Sequence, residues 1–213
     1  MDVTQICRKA HNAQYELGAM SADKKNEVLR AVARSIVASK DELKVANRAD
    51  IDAAEASGMT RAMVDRLLLT DERIALIAEG VEQVATLPDP VGEVCDCWDL
   101  DNGLHIDKVR APLGVVAVIY ESRPNVTADV FALCFKSGNC VVLRGGKEAI
   151  NSNRALYKII ADTLAEHGVN SDVIGFIDDT SREGSAMLLK QGDTVDVVIP
   201  RGGDGLKKFV LAN

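Results

Sequence analysis

The sequence predicts an α/β protein in which an N-terminal helical layer and a β-hairpin precede a Rossmann-type parallel sheet. Apolar residues recur at helical spacing through most of residues 3–85, and from residue 111 short apolar runs alternate with amphipathic segments. Residues 115–120 (VVAVIY) are apolar throughout, which is typical of a parallel strand buried on both faces. These patterns predict a helical segment at residues 1–90, a hairpin at 91–110 and an α/β domain at 111–213.

The composition of this 213-residue chain argues against several classes of protein. A formal net charge of −7, without a basic stripe, makes a nucleic-acid partner a poor expectation. The first residues lack the basic and apolar regions of a signal peptide, and no apolar stretch approaches the roughly 20 residues that a membrane span needs. We therefore expect a cytoplasmic protein with no membrane partner. The five cysteines are scattered, which argues against a disulfide framework.

The helical segment has recognisable starts and an abrupt end. Ser21 and Thr70 each precede a charged, periodic stretch and are predicted to cap helices. The sequence Leu-Pro-Asp-Pro at residues 87–90 ends the helical pattern. The alternation of charged and apolar positions predicts an amphipathic layer with one solvated face.

Two short strands, at residues 92–100 and 104–110, are predicted to form the hairpin. Asn102-Gly103 between them favours a tight turn, because both residue types tolerate a positive φ. Cys95 and Cys97 lie in the first strand, where alternation would put both thiols on one face. We interpret them as strand residues, since a metal site would need two more ligands and His105 alone is too few.

The α/β part alternates strands and helices. Strands are predicted at residues 115–120, 140–143, 173–177 and 195–199, and helices at 126–137, 149–167, 182–191 and 205–212. Alternation at this spacing implies βαβ units and a parallel sheet, in which ligands bind beyond the carboxyl ends of the strands.

Three loops follow strand ends in this sheet, at residues 121–125, 144–148 and 200–205. The second and third loops share Arg-Gly-Gly, which suits a small anion beside a helix N-terminus but also occurs in plain turns. Neither loop is a GxGxxG fingerprint or a P-loop. Two copies in one sheet favour nucleotide binding. The first loop admits two interpretations, a substrate-recognition loop or a structural Arg–Glu pair.

The residues offer no strong internal nucleophile. Cys134 falls within a predicted helix among Phe131, Leu133 and Phe135, and Cys140 begins a predicted core strand. Buried cysteines are usually inert, so recruitment of one of them as a nucleophile is not expected.

Several of these stretches resemble the γ-glutamyl phosphate reductase family, part of the aldehyde dehydrogenase superfamily. The similar segments are residues 111–116 (APLGVV), 120–127 (YESRPNVT), 138–139 (GN), 142–149 (VLRGGKEA) and 199–206 (IPRGGDGL). The N-terminal helices fit as well, so the resemblance covers essentially the whole chain. It implies an aldehyde-dehydrogenase-like fold and the NADPH-dependent reduction of L-glutamyl 5-phosphate to L-glutamate 5-semialdehyde, in proline biosynthesis.

The resemblance also implies roles for individual residues. Arg144 takes a strand-end position facing the adenosine ribose, where its guanidinium could pair with the 2′-phosphate of NADP(H). The implied cofactor residues are Arg144, Gly145, Gly146, Lys147, Glu148, Arg201, Gly202 and Gly203. Ser122, Arg123 and Asn125 fall near the loop that supplies an oxyanion donor and are assigned to the substrate. The hairpin resembles an oligomer contact, so a homo-oligomer is possible.

Members of that family are longer than this chain, and their second half carries the nucleophilic cysteine. The catalytic cysteine is thus expected beyond Asn213, and this chain alone is not expected to turn over substrate. The favoured hypothesis is the N-terminal, cofactor-binding half of such an enzyme. The alternative is a non-catalytic nucleotide-binding or interaction module with the same fold, although residues 207–213 read as a helix start without a cap.

Overall fold

The computed structural model describes residues 2–212, and both Met1 and Asn213 lie outside the described residues. The first part of the chain is helical, as predicted. Ser21 accepts a hydrogen bond from the Lys24 N–H at 3.3 Å, and Thr70 accepts one from the Arg73 N–H at 3.2 Å, which confirms both predicted caps. The helices are α1 (Val3–Gly18), α2 (Ala22–Ala38), α3 (Lys40–Ala56), α4 (Arg61–Leu67) and α5 (Asp71–Thr86).

The predicted hairpin is present. β1 (Val94–Asp99) and β2 (His105–Val109) pair antiparallel, and Gly103 in the turn between them has a φ of +85°. Nearly every residue of both strands is exposed, including Cys95 and Cys97. Within residues 2–212 there is no group of three His, Cys, Asp or Glu side chains that could hold a metal ion.

The α/β part forms a four-stranded sheet in which every strand pair is parallel, in the order β5-β4-β3-β6. Its strands are β3 (Val115–Tyr120), β4 (Cys140–Arg144), β5 (Ile174–Phe176) and β6 (Val197–Arg201). The accompanying helices are α6 (Asn125–Lys136), α7 (Ile150–Glu166), α8 (Arg182–Leu189) and α9 (Asp204–Ala212). None of the helices between residues 2 and 212 is long and apolar enough to cross a membrane.

Five of the six predicted strands differ from their predicted bounds by one or two residues at one or both ends, and β3 agrees at both ends. β5 is shorter than predicted because a 3₁₀ turn, Ser171–Val173, takes up its first residue. β6 starts two residues late because the Val195 N–H is bonded to the Gln191 carbonyl at 2.9 Å in a turn. β6 is also less buried than an apolar core strand, with Ile199 46% exposed, since it forms an edge of the sheet.

The helical layer and the sheet share one hydrophobic core. Every residue of β3 is buried, so both faces of this strand are covered. Helix α1 packs on β4 and β5, α2 on α7, and α5 on α6. Residues from α1, α2 and α5 lie in the same cluster of buried side chains as β3 and β4. Side chains of the helical layer therefore pack directly against the sheet and belong to the same core.

Two buried polar residues of α3 connect the helical layer to α7. The Asn47 Nδ2 donates to the Leu67 carbonyl at 2.7 Å and to Ser152 Oγ at 3.0 Å, while its Oδ1 accepts from the Leu69 N–H at 2.8 Å. Asp50, only 2% exposed, accepts hydrogen bonds at the first turn of α7. This network fixes the end of α4 against the α/β part.

Candidate active site

The sheet has a topological switch point between β3 and β6. The chain moves from β3 to β4 and β5 on one side, then returns to β6 on the other side of β3. In open parallel sheets the crevice at such a point, beyond the carboxyl ends of the strands, is where ligands bind. The loops that follow β3 and β6, residues 121–125 and 202–203, lie at this crevice.

The predicted loops after β3 and β6 are in direct contact. The Glu121 N–H donates to the Arg201 carbonyl at 3.3 Å, and the Gly203 N–H donates to Glu121 Oε2 at 3.0 Å. The loop after β4 also lies close, because a Cβ on Gly146 would be 3.4 Å from the Ser122 nitrogen. The structure thus brings together all three loops that the sequence singled out.

Protein contacts explain two of the glycines in these loops. A Cβ on Gly202 would lie 2.5–2.8 Å from the Glu121 carboxylate atoms, which hold the neighbouring Gly203 N–H. A Cβ on Gly145 would lie 2.3 Å from Asn153 Nδ2 and 3.2 Å from the Tyr120 ring. The sequence predicts that these glycines let a ligand approach the backbone. In the structure they make room for the side chains of Tyr120 in β3, Glu121 in the loop after it, and Asn153 in α7.

Two adjoining cavities open at the first loop. One, of about 290 Å³, is lined by Glu121, Ser122, Arg123, Val126, Arg201 and Gly202, with Met59, Met63 and Arg66 from the helical layer. The other, of about 360 Å³, includes Arg123, Pro124, Asn125 and Asp129 together with residues of α4, α5 and their connection. Arg66 and Arg123 line both cavities. All three residues assigned to the substrate therefore face one or both cavities.

The first loop is ordered by short-range contacts with α6. Asn125 is the first residue of α6, and its Nδ2 donates to Asp129 Oδ2 at 2.8 Å, one helical turn later. Burial raises the pKa of Asp129, and the hydrogen bond from Asn125 and the charge of Arg201 oppose that rise. Arg123 and Glu121 make no ion pair within the described chain, so the alternative of a structural Arg–Glu pair is not what the structure has.

Arg144 stands at the end of β4, as the strand pattern predicts, but its guanidinium has protein partners. Its Nη2 donates to the Thr180 carbonyl and, at 2.9 Å, to the Ser181 carbonyl. Its Nε–H is buried and has no hydrogen-bond partner among residues 2–212. Burial lowers the pKa of Arg144, and Asp179 and Glu148 oppose that effect. The side chain therefore connects β4 to the loop before α8, and its Nε–H is still available as a hydrogen-bond donor.

Lys147 and Glu148, the last two residues of the loop after β4, differ in exposure. Lys147 begins a single 3₁₀ turn, Lys147–Ala149, and is exposed, whereas Glu148 is half-buried. This short turn leads directly into α7. A cation at this place can reach an anion bound beyond the end of β4.

The cysteines inside the fold are poor nucleophiles. Burial raises the pKa of Cys134 to about 12 and, with smaller contributions from Cys134 and Glu16, raises that of Cys140 to about 12. Burial and the charge of Asp2 raise the pKa of Cys7 to about 11. Cys134 is half-buried rather than fully buried because its neighbour Leu133 faces solvent with 54% of its surface exposed. A thiolate is the reactive form, so these environments disfavour covalent catalysis.

Sequence reasoning missed the contribution of the helical layer to the site. Met59 lies in the connection between α3 and α4, and Met63 and Arg66 lie on α4, in a segment that the sequence indicates only as part of an amphipathic layer. Asp129 was likewise missed, although its spacing of four residues from Asn125 on a helix was available as a signal. No sequence pattern links Arg66 to the loop at residues 121–125.

Known proteins resemble the chain over nearly its full length. A γ-glutamyl phosphate reductase from Enterococcus faecalis is 49% identical over 210 residues, which cover 99% of this chain and 50% of that protein. The enzyme of the same name from Heliobacterium modesticaldum is 46% identical over 206 residues, which cover 97% of this chain and 49% of that protein. The chain thus spans about half the length of the curated relatives it matches.

Solved structures agree with these relatives. The crystal structure of γ-glutamyl phosphate reductase from Thermotoga maritima has a TM-score of 0.97 and 38% identity, covering 100% of this chain and 51% of that one. A probable aldehyde dehydrogenase from Listeria monocytogenes, at 20% identity and a TM-score of 0.74, shares the fold. The predicted aldehyde-dehydrogenase-like fold is confirmed. The aldehyde dehydrogenase family model matches residues 1–206, and the chain belongs to that family.

Proposed function

We propose that this chain is the cofactor-binding half of a γ-glutamyl phosphate reductase, which reduces L-glutamyl 5-phosphate to L-glutamate 5-semialdehyde in proline biosynthesis. The observation that carries the proposal is the crevice at the switch point, where three loops with basic residues meet. Its relatives bear this name at 43–49% identity. Aldehyde dehydrogenases use a nicotinamide cofactor, and NADP(H) is our specific proposal for this chain.

The residues at the crevice fit a dinucleotide phosphate. Arg144 has a buried Nε–H that has no hydrogen-bond partner in the described part of the chain. Lys147, in the same loop after β4, is exposed. We assign the adenosine end of NADP(H), with its 2′-phosphate, to Arg144 and Lys147 and to the loop residues Gly145, Gly146 and Glu148. Arg201, Gly202 and Gly203 are assigned to the pyrophosphate near the start of α9. When bound, the cofactor supplies the hydride for the reduction.

The loop after β3 is assigned to the substrate. Ser122, Arg123 and Asn125 face the two cavities. The Asn125 amide has a second N–H besides the one that Asp129 holds, and this donor can stabilise an oxyanion on the carbonyl under attack. The nucleophilic cysteine is assigned to the longer relatives' remaining half, because the environments of Cys7, Cys134 and Cys140 hold their thiols protonated and Cys95 and Cys97 lie in the exposed hairpin.

Two further assignments follow from the resemblance. The exposed hairpin is proposed to contact another copy of the protein, since both its strands present apolar side chains such as Trp98 to solvent. A cytoplasmic location is proposed from the biosynthetic reaction.

Titration of the chain with NADPH, followed by fluorescence, tests the proposal. We expect weak, saturable binding that exceeds NADH binding. Arg144→Lys keeps the charge but loses the two-pronged guanidinium, so it should reduce the preference for NADPH. Arg144→Ala should abolish that preference. Arg34→Ala is the matched control, because Arg34 is exposed on α2 and lines neither cavity. A folded chain that binds neither nucleotide contradicts the proposal.

A further inference from the structure

Three arginines without carboxylate partners meet at the smaller cavity. Arg66, Arg123 and Arg201 all line it, all are exposed, and none makes an ion pair within the described part of the chain. They come from three separate elements, α4, the loop after β3, and the end of β6. Their convergence is thus a product of the tertiary fold.

Carboxylates balance only part of the positive charge of these arginines. Glu121 is the one carboxylate residue lining the cavity, and its Oε2 accepts the Gly203 N–H. By contrast, Arg73 in the adjoining cavity is tied to Asp65 at 2.9 Å. Three guanidinium groups and a single carboxylate among the lining residues give this cavity an excess of positive charge in a chain whose net charge is −7, which favours an anionic ligand.

Arg66 is held in place by the fold. The carbonyl of the next residue, Leu67, accepts a hydrogen bond from the buried Asn47 at 2.7 Å, and Leu67 itself is fully buried. The guanidinium therefore extends from a fixed backbone position into both cavities. A guanidinium can bind two oxygens of a phosphate at once, which makes arginine a preferred phosphate ligand.

We propose that Arg66 and Arg123 bind the phosphate group of the acyl phosphate substrate and so determine specificity for it, while Arg201, assigned above to the cofactor pyrophosphate, adds positive charge at the same cavity. This assignment rests on the proposed function. The doubly charged phosphate matches a cavity with three cations, and Met59 and Met63 form an apolar wall that limits its hydration. The larger cavity shares Arg66 and Arg123 and leaves room for the rest of the glutamyl chain beside Asn125.

Equilibrium dialysis of the chain against radiolabelled inorganic phosphate, at low ionic strength, tests this proposal. Arg66→Ala and Arg123→Ala should each weaken binding by about tenfold, since each removes a charged hydrogen-bond donor. Arg66→Gln serves as a second variant, and the far-ultraviolet circular dichroism of each variant checks folding. Arg34→Ala, with the same loss of charge elsewhere, should leave binding unchanged.

Each of the other possible outcomes decides between this proposal and an alternative. Equal binding by Arg34→Ala and Arg66→Ala would overturn the site, because the attraction would then be non-specific. Displacement of phosphate by glutarate at lower concentration would overturn the assignment to phosphate in favour of a carboxylate. Displacement of one phosphate by each NADPH would assign the anion to the cofactor. Phosphate binding that depends on Arg66, in a chain that does not bind NADPH, would reject the nucleotide proposal and keep this one.

Discussion

Asp50 is predicted to be a major determinant of the stability of the junction between the helical layer and the α/β part. Its carboxylate accepts four hydrogen bonds at the start of α7. The donors are the Asn151 N–H at 3.1 Å, Asn151 Nδ2 at 2.8 Å, the Ser152 N–H at 2.8 Å and Ser152 Oγ at 2.6 Å. The first two bond to Oδ1 and the last two to Oδ2. The carboxylate thus caps α7 from a different helix.

The expected cost of Asp50→Ala follows from these contacts. A hydrogen bond to a charged group contributes about 1.5–3 kcal/mol, contributions within one network are not additive, and an N-cap is worth about 1 kcal/mol. Ser152 is fully buried, so its donors cannot turn to water. We expect Asp50→Ala to lower the free energy of unfolding by about 3 kcal/mol, within the range seen when one partner of a buried charged network is removed. Asp50→Asn keeps one acceptor oxygen and should cost about half as much.

Urea denaturation followed by circular dichroism measures this loss. Asp52→Ala is the matched control, because Asp52 lies on the same helix, is 56% exposed and pairs only with Arg48 at 2.7 Å. An exposed pair of this kind contributes about 0.3–0.5 kcal/mol. For a chain of this size, a loss of about 3 kcal/mol should lower the melting temperature by about 6–12 °C. The reasoning is refuted if the Asp50→Ala and Asp52→Ala variants differ by less than about 1 kcal/mol.

Two further predictions concern the loops and the thiols. Gly202→Ala forces the Glu121 carboxylate away from the Gly203 N–H and should weaken NADPH binding several-fold. Gly192→Ala is the control, because Gly192 is exposed and a Cβ there would meet no described atom within 4 Å; equal affinities of the two variants would contradict this. Burial raises the pKa of the Cys7, Cys134 and Cys140 thiols from 9.0 to about 11 or 12, so the folded state disfavours thiolates and its stability should fall as pH rises above about 9. Urea midpoints at about pH 8, 9 and 10 measure this fall, and Cys134→Ala should make the midpoint depend less on pH. A midpoint that does not change with pH would count against burial of the three thiols.

The sequence predicted the inner strands of the sheet, β3 and β4, well because they are buried on both faces. β3 is a continuous apolar run, which is typical of a strand buried on both faces, and its bounds agree with the prediction at residues 115–120. The three loops could be predicted to meet because parallel strands bring their carboxyl ends to one edge. β6 was less predictable, since an edge strand is half-exposed and its start depends on a turn bond from Val195.

The candidate site was only partly predictable, because tertiary contacts complete it. Arg66 reaches the cavities through the packing of α4, which depends on Asn47, a buried polar residue in an otherwise ordinary amphipathic pattern. Arg144 stands where the strand pattern puts it, but its bonds to the carbonyls of Thr180 and Ser181 depend on a loop that is 36 and 37 residues away in the chain. Residue spacing along the chain carries no information about such contacts.

Hydrogen exchange of the chain with and without saturating NADPH tests the central claim most directly. The account predicts slower amide exchange in the loops that surround the switch-point crevice, at residues 121–125, 144–149 and 202–205, and unchanged exchange in the hairpin at residues 94–109. Protection confined to the hairpin or to the outer face of the helical layer, with these three loops unchanged, would contradict a cofactor site at the carboxyl edge of the sheet.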